Sequence, residues 1–238
     1  MNLKSARVLV IGGTSGIGLG VASAVAERGA TPIVVSRRQS SVDRALAELP
    51  EGTRGATVDL TDPSGLDRLV ADVGDIEHLV FTAGEPLELL GFTDLTADVI
   101  GRYFQTRYVG ALSAVRAFAT RITPGGSITL TSGTAAERPG LGALPASVCG
   151  AINALTKALA FELAPLRVNA IAPGVVRSPL WDALSERDRR AMYDQAAQQL
   201  PLGRVGEVDD AARAYVYCME QEFGTGIVLT VDGGTTLA

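Results

Sequence analysis

The stretch Gly12-Gly13-Thr14-Ser15-Gly16-Ile17-Gly18 decides the fold, because it lies between an apolar, strand-like run at residues 7–11 and a helical pattern at residues 17–28. Glycines at such a turn let the backbone approach a diphosphate, whose charge then faces the N–H groups that open the helix. An ordinary strand-to-helix turn is the alternative interpretation. Because the motif occupies the first strand–helix unit, it favours a dinucleotide site. The predicted contacts are Gly12, Thr14, Ser15, Gly16, Ile17 and Gly18.

The rest of the chain alternates short apolar runs with longer amphipathic segments. The apolar runs predict further strands near residues 33–36, 56–58, 78–82, 127–131, 167–171 and 226–231. Helical spacing predicts helices over residues 42–49, 63–73, 96–122, 146–163 and 209–219. Strands that are nearly all apolar and separated by helices are typical of a parallel sheet covered on both faces. We therefore predict an α/β fold, a single doubly wound Rossmann domain over residues 1–238 with a parallel seven-stranded sheet and helices on both faces.

Composition argues against several classes of function. A net charge of −5 disfavours nucleic acid or an anionic membrane as the main partner. The single histidine, His78, leaves too few ligands for a histidine-based metal site, so no metal is predicted. Cys149 and Cys218 lie far apart, which predicts two buried thiols. The chain opens without a signal-peptide pattern and its apolar runs are shorter than a membrane span, which predicts a cytoplasmic protein. The predicted dinucleotide site implies a small-molecule substrate.

The end of the second predicted strand bears on the type of dinucleotide. NAD sites usually carry an acidic residue there, about twenty residues beyond the glycines, which binds the ribose 2′-hydroxyl. This chain has Ser36-Arg37-Arg38 instead. Two guanidinium groups pair better with a 2′-phosphate than with a hydroxyl, although a solvated pair of arginines is the alternative. Arg37 and Arg38 therefore favour NADP(H) over NAD(H).

From Val8 to Gly234 the chain resembles the short-chain dehydrogenase/reductase family. Asp59 follows the third predicted strand, as does the acidic residue that borders the adenine in that family. Ala83-Gly84 matches the second half of the family's Asn-Asn-Ala-Gly motif, and Phe81-Thr82 replaces its two asparagines. Residues 167–174 match the family's sixth strand and the Pro-Gly turn beside the nicotinamide. The C-terminal signatures match at residues 201–206 and 231–234. The resemblance implies further cofactor contacts at Asp59, Leu60, Ala83, Gly84, Pro173, Gly174 and Val176.

The same resemblance implies four catalytic positions. Family members use a Ser after the fifth strand, a Tyr thirteen residues later, a Lys four residues beyond the Tyr, and an Asn on the fourth helix. Ser132 matches the serine. Counting forward from Ser132 and backward from residues 155–160 places the tyrosine position at Pro145 both times, which puts the lysine position at Cys149. The asparagine position is Arg107, so the resemblance identifies a divergent member without the catalytic Tyr and Lys.

No shift of the alignment restores the missing pair, because residues 110–191 contain no tyrosine and residues 6–155 contain no lysine. Lys157 lies two turns beyond Cys149, about 12 Å along the helix axis, and is expected to miss the nicotinamide ribose. Tyr103 and Tyr108 precede the site on the long predicted helix. We assign both to packing or to a subunit contact.

Ser132 and Arg107 remain as catalytic candidates. A serine hydroxyl can donate a hydrogen bond to a substrate carbonyl, although a strand-end cap is the alternative. The guanidinium of Arg107 stays charged, so it can stabilise an oxyanion or hold a carboxylate but cannot act as a general acid. An ion-paired helical arginine is equally compatible with the sequence. Trp181 falls where family members cover the substrate, and it is either a hydrophobic anchor or a substrate contact.

Two functions follow from these observations. The first is an NADP(H)-dependent oxidoreductase with an atypical active site, acting on a substrate that supplies its own proton or needs hydride more than a proton, such as an activated alkene or an iminium. The second is a catalytically silent NADP(H)-binding protein that acts as a sensor or partner subunit. A homodimer or homotetramer is expected in either case, because the family pairs its long helices. Gly150, Ala151, Ala154 and Ala158 supply a small-residue face for that contact, unless the face packs on the chain's own sheet.

Overall fold

The computed structural model describes residues 2–87 and 90–237. Its centre is a sheet of seven strands, each parallel to its neighbours. The strands are β1 (Arg7–Ile11), β2 (Thr31–Ser36), β3 (Arg54–Thr57), β4 (Ile76–Phe81), β5 (Ile122–Thr131), β6 (Arg167–Pro173) and β7 (Val228–Val231). Their order across the sheet is β3-β2-β1-β4-β5-β6-β7, so the order reverses between β1 and β4. Ligands of open α/β sheets bind at such a switch point, beyond the carboxyl ends of the strands.

Helices cover both faces of the sheet. They are α1 (Gly16–Ala26), α2 (Gln39–Glu48), α3 (Pro63–Val73), α4 (Ala97–Phe104), α5 (Ala111–Phe118), α6 (Ala143–Glu162), α7 (Glu186–Gln199) and α8 (Val208–Glu220). Val8 and Val10 of β1 belong to the core cluster under α1 and α8. Leu9 and Ile11 belong to the cluster under α3, α5 and α6. Because successive strand residues point to opposite faces, a central strand covered on both sides is mostly apolar and buried, as residues 8–11 of β1 are, and the predicted fold is confirmed.

Several element boundaries differ from the sequence-based expectations. The predicted helix over residues 96–122 is not continuous, because residues 105–110 form a π-helical turn between α4 and α5. The fifth strand begins at Ile122 rather than Ser127, through a register shift against β4. The predicted start of α3 is confirmed, since the Asp62 carboxylate accepts a hydrogen bond from the Ser64 N–H at 2.9 Å and Pro63 is the first helical residue.

The sequence analysis missed α7. Of its fourteen residues only Tyr193 is buried, and charged and amide side chains dominate the rest. Such a helix has no apolar period for pattern analysis to detect. The start of α7 could nevertheless be recognised from the sequence, because serine is a preferred N-cap residue. The Ser185 hydroxyl accepts a hydrogen bond from the Asp188 N–H at 3.1 Å.

Helix α6 corrects the expectation that all apolar segments fall far short of a membrane span. This 20-residue helix contains an 18-residue window with a mean hydropathy of 1.3, so it is long and apolar enough to cross a membrane by length and composition alone. Val148, Ile152, Leu155 and Leu159 of this helix belong to the core cluster beneath the sheet. Packing on β5 and β6 therefore accounts for part of its apolar composition.

Candidate active site

The glycine loop lies at the switch point between β1 and β4. Gly12 has a φ of +91°, and a methyl group on it would lie 2.5 Å from the Ala83 nitrogen, at the end of β4. A methyl group on Gly18 would lie 2.2 Å from the Gly12 carbonyl oxygen. Only glycine can occupy these two positions without moving the backbone. The loop thus packs closely against the carboxyl ends of the strands, and the side of the loop that faces away from the strands can contact a ligand.

The start of α1 provides the donors for such a ligand. Ser15 is the N-cap residue in an extended conformation, and its side chain makes no capping hydrogen bond to the residues described. The first N–H groups of an α-helix have no partner within the helix, and they carry the positive end of its dipole. Gly16, with a φ of +50°, turns the chain into the helix. The glycine loop and the uncapped helix start therefore fit the diphosphate of a dinucleotide.

The residues predicted to bind the adenosine half of the dinucleotide lie next to this loop. Arg37 and Arg38 follow β2 and are exposed. Asp59 follows β3, and its carboxylate accepts hydrogen bonds from the Thr61 hydroxyl at 2.7 Å and the Thr61 N–H at 2.9 Å. These bonds, assisted by the charge of Arg37, lower the pKa of Asp59. The structure thus brings Arg37 and Asp59 to one edge of the sheet.

The segment after β6 folds back over the glycine loop. The Gly174 N–H donates to Val231 at 3.0 Å, and a methyl group on Gly174 would lie 2.8 Å from the Asp232 α-carbon. Further along, Pro179 approaches to 3.2 Å of a methyl group built on Gly16. The predicted contacts Pro173, Gly174 and Val176 therefore lie on the same side of the sheet as the glycine loop.

Trp181 anchors this segment. It is 4% exposed, and its indole N–H donates to the Val176 carbonyl at 3.1 Å. Its apolar surface packs in a small cluster with Leu87, Tyr193 and Leu200. Of the two roles left open for Trp181, the hydrophobic anchor is the one that these contacts support.

Ser132 follows β5, and its N–H donates to the Ile171 carbonyl at 2.8 Å. Its hydroxyl faces the second and third turns of α6, where it reaches the Cys149 carbonyl oxygen at 3.1 Å and the Asn153 side-chain oxygen at 2.5 Å. The Cys149 sulfur lies 3.1 Å from a methyl group built on Gly133. The structure thus brings Ser132 and Cys149 together. Asn153 was not among the predicted site residues.

Cys149 is half-buried, whereas Cys218 is buried, so the expectation of two buried thiols is wrong for the first. Burial nevertheless raises the pKa of Cys149, and the Arg107 charge and the hydrogen bond with Ser132 only partly oppose this effect. The thiol therefore keeps its proton at neutral pH. Pro145 lies one turn earlier, buried in the first turn of α6, where a proline costs no helical hydrogen bond. Lys157 is exposed, two turns beyond Cys149.

Arg107 projects from the π-helical turn towards Gly84. Its side chain is 14% exposed, and its Nη1 lies 2.5 Å from a methyl group built on Gly84. Nη2 donates to the Glu85 carbonyl oxygen, while Nη1 lies 3.7 Å from the Glu85 carboxylate. That separation is an ion pair but too long for a hydrogen bond, and Nη1 finds no hydrogen-bond partner within residues 2–87 and 90–237. The arginine thus brings a permanent charge with an unused donor to the end of β4.

Tyr103 completes the surroundings of Arg107. The guanidinium carbon lies 4.7 Å from the centre of the Tyr103 ring, a cation–π contact. Burial raises the pKa of Tyr103, with smaller effects from Arg107 and Cys149. The same ring packs against the Trp181 cluster. The sequence analysis predicted packing or a subunit contact for Tyr103, but it did not place this residue beside the candidate site. The four-residue spacing between Tyr103 and Arg107 could have indicated their contact, because residues at that spacing are neighbours on a helix surface.

Comparison with known proteins agrees with this geometry. The family model for enoyl-(acyl carrier protein) reductase matches residues 12–236. A short-chain dehydrogenase/reductase of an Acremonium species is 34% identical over 256 residues, which cover 99% of this chain and 97% of that protein. The structure of the MalC reductase/Diels-Alderase from Malbranchea aurantiaca has a TM-score of 0.90 at 32% identity, with 99% and 98% of the two chains covered. A small-chain dehydrogenase in complex with NADPH has a TM-score of 0.85 at 32% identity, with 99% and 100% covered.

The family model spans nearly the whole chain, and relatives more than 30% identical align with it along almost their full lengths. Together with the parallel sheet and the glycine loop at its switch point, these matches establish that the chain belongs to the short-chain dehydrogenase/reductase family.

Proposed function

We propose that the chain is an NADP(H)-dependent oxidoreductase whose active site uses Ser132 and Arg107 and lacks the Tyr and Lys of its family. The observation that carries the proposal is the set of side chains around Ser132. Cys149 and Asn153 meet it from α6, and Arg107 lies close enough to Cys149 to influence its pKa. These groups line the side of the sheet on which the glycine loop lies.

The cofactor preference rests on Arg37 and Arg38. Both are exposed at the end of β2, beside the glycine loop, where a 2′-phosphate would need charge-assisted hydrogen bonds. Asp59 lies near Arg37 but follows β3, one strand further from the switch point. The related dehydrogenase that binds NADPH agrees with this preference.

Arg107 is the group that replaces part of the missing chemistry. When bound, a nicotinamide supplies or accepts a hydride, and a carbonyl or conjugated substrate then gains negative charge on an oxygen. The unused Nη1 donor of Arg107 would stabilise that charge in a site of low exposure. Because a guanidinium does not release its proton, the proton comes from another donor: water, the substrate itself or the Cys149 thiol, which stays protonated because burial raises its pKa.

A second candidate is a protein that binds NADP(H) without redox turnover, as a sensor or partner subunit. The observation that favours it is the same lack of an acid, since loss of a general acid typically costs on the order of 10² to 10⁴ in rate. The Malbranchea relative is described as both a reductase and a Diels-Alderase. A cycloaddition transfers no proton, so the lack of an acid would not prevent a non-redox reaction of that kind in the cofactor-bound pocket.

One experiment separates the two candidates. NADPH is titrated into the protein by its fluorescence, and the loaded protein is then screened against carbonyls, activated alkenes and imines at the nicotinamide absorbance. Tight NADPH binding with turnover of one of these classes supports the oxidoreductase. Binding without turnover of any class favours the second candidate, and absence of NADPH binding contradicts both.

A further inference from the structure

The hydroxyl of Ser132 has one hydrogen and two protein acceptors. The Asn153 side-chain oxygen lies 2.5 Å from Oγ and the Cys149 carbonyl oxygen 3.1 Å from it. A hydroxyl donates one hydrogen bond and accepts up to two. The shorter contact takes the hydrogen, so Oγ offers only lone pairs to anything else that approaches.

The Asn153 amide turns its oxygen towards the serine, so Asn153 accepts the hydroxyl hydrogen. Asn153 lies one turn beyond Cys149 on the same helix, so the geometry is set by a rigid element.

Arg107 supplies the opposite property. A guanidinium has donors and no acceptor, and Nη1 has no hydrogen-bond partner in the part of the chain that the structure describes. The π-helical turn that carries Arg107 packs against α6, which carries Cys149, and both Arg107 and Ser132 act on the Cys149 thiol, so the two groups share one neighbourhood. A ligand between them meets a donor on one side and an acceptor on the other. A plain ketone satisfies only the donor and leaves the serine lone pairs without a partner.

We propose that Asn153 is a positioning residue that makes Ser132 a hydrogen-bond acceptor, so that the pocket selects substrates carrying an N–H or O–H group beside a carbonyl. This inference rests on the proposed function, because it names the substrate class of the same site. It also replaces the expectation that Ser132 donates to a substrate carbonyl.

The test compares three ring compounds of similar size on the protein saturated with NADP⁺. They are 2-pyrrolidinone, which has adjacent N–H and C=O groups, N-methyl-2-pyrrolidinone, which lacks the donor, and cyclopentanone. Affinities are measured by ligand-observed NMR titration. We expect 2-pyrrolidinone to bind about tenfold more tightly than the other two, since an acceptor left without a partner is costly in a half-buried site. Undetectable binding of 2-pyrrolidinone, or equal binding of the three compounds, overturns the inference.

Variants assign the preference to Asn153. In Asn153→Leu the hydroxyl keeps only the longer contact to the Cys149 carbonyl, which a substrate carbonyl can replace, and the preference for 2-pyrrolidinone should fall to about twofold or less. Asn153→Asp keeps an acceptor for the Ser132 hydrogen and should retain the preference. Ser132→Ala should abolish it without altering Asn153. Lys157→Ala, an exposed change on the same helix, is the matched control and should leave it unchanged.

Two outcomes separate this inference from the proposed function. Each sample is also titrated with NADPH, and its thermal unfolding is recorded to confirm that the variant is folded. A parent protein that does not bind NADPH contradicts the proposed function. A parent that binds NADPH but shows no preference, or an Asn153→Leu variant that is folded and keeps the full preference, contradicts the inference about Asn153 alone.

Discussion

Arg107 illustrates how a single residue is placed by its backbone. The π-helical turn over residues 105–110 inserts an extra residue per turn, which rotates the following side chains relative to a regular α-helix. The guanidinium then reaches Gly84, where any side chain would collide with it. Stacking on Tyr103 and the bond to the Glu85 carbonyl hold it in that position.

Replacing Arg107 with Lys tests its electrostatic role. Lysine keeps the charge but not the planar group that stacks on Tyr103 and bonds to Glu85. We expect kcat to fall on the order of 10², as for loss of an oxyanion donor, while the Kd for NADPH stays nearly constant. The measurement uses whichever substrate the redox screen identifies, with Arg102→Lys on α4 as control. Unchanged turnover would reduce Arg107 to a structural residue.

Arg37 tests the cofactor preference. Arg37→Ala removes a charge-assisted hydrogen bond to a 2′-phosphate, worth about 1.5 to 3 kcal/mol, so NADPH affinity should fall by about ten- to a hundredfold. NADH affinity should hardly change, because NADH has no 2′-phosphate. The control is Arg44→Ala, an exposed arginine of α2. A parent protein that binds NADPH and NADH equally well would contradict the argument from Arg37 and Arg38.

At the scale of elements, the close approach of α1 and α8 depends on Gly20. A methyl group on Gly20 would lie 2.2 Å from the Cγ1 atom of Val208, at the start of α8. Alanine is better than glycine in a helix by about 1 kcal/mol, whereas overpacking costs about 1 to 3 kcal/mol. Valine is β-branched and cannot swing its methyl group away freely, so the overpacking cost should dominate.

The corresponding prediction is a double-mutant cycle. Gly20→Ala should lower the free energy of unfolding by about 1 kcal/mol, because the steric cost exceeds the gain in helix propensity. Val208→Ala makes room for the new methyl group, so the double variant should recover most of that loss. Urea denaturation of the parent, both single variants and the double variant measures the coupling. If the changes in unfolding free energy of the two single variants simply add in the double variant, the predicted steric contact between residues 20 and 208 is contradicted.

At the scale of the whole molecule, His78 links stability to pH. It is fully buried, its Nδ1 lies 2.9 Å from the Ser127 hydroxyl, and burial, together with the Arg167 charge, lowers its pKa to about 4. Its ordinary pKa is 6.5, so between these values the unfolded chain binds more protons than the folded one. Stability is therefore full above pH 6.5 and declines as the pH falls towards 4.

The size of this decline follows from the difference between the two pKa values. It amounts to about 3 kcal/mol when His78 is fully protonated on unfolding. Urea denaturation at pH 8, 6 and 5 measures the part of this decline that occurs above pH 5, about 2 kcal/mol. His78→Asn keeps a polar partner for Ser127 but does not titrate, so its stability should change less over the same range. The pKa of Asp210, lowered to about 2 by the hydrogen bond from Arg204, affects stability only at more acidic pH. An equal decline in both proteins would contradict the role of His78.

Assembly also belongs to this scale, and we propose a homodimer or homotetramer. Gly150, Ala154 and Ala158 are exposed on α6, and nothing lies within 4 Å of a methyl group built on Gly150. This face therefore does not pack on the chain's own sheet in the part of the chain described. Small residues allow another helix to approach closely, so Ala154→Arg should lower the mass measured by light scattering to that of a smaller species. Ala191→Arg, on an exposed position of α7, should leave it unchanged, and a monomeric parent would contradict the proposal.

Much of the fold was predictable because its signals are local. The glycine loop, the apolar strands and the cap at Asp62 each reflect the conformation of a few neighbouring residues. The same holds for the positions of Ser132, Pro145 and Cys149, which follow from counts along one strand–helix unit. Helix α7 was missed because its residues are mostly polar and show no apolar periodicity. The π-helical turn was missed because the apolar pattern across it resembles that of the helices on either side.

The amino-acid sequence by itself determined the family, the glycine loop and the types of side chain at the candidate catalytic positions. Only the tertiary structure decided what those side chains contact. Asn153 and Ser132 are 21 residues apart in sequence, yet their hydrogen bond determines whether the serine donates or accepts. Hydrogen-bond direction depends on distances between elements that pack from different parts of the chain, and periodicity within one element carries no information about those distances.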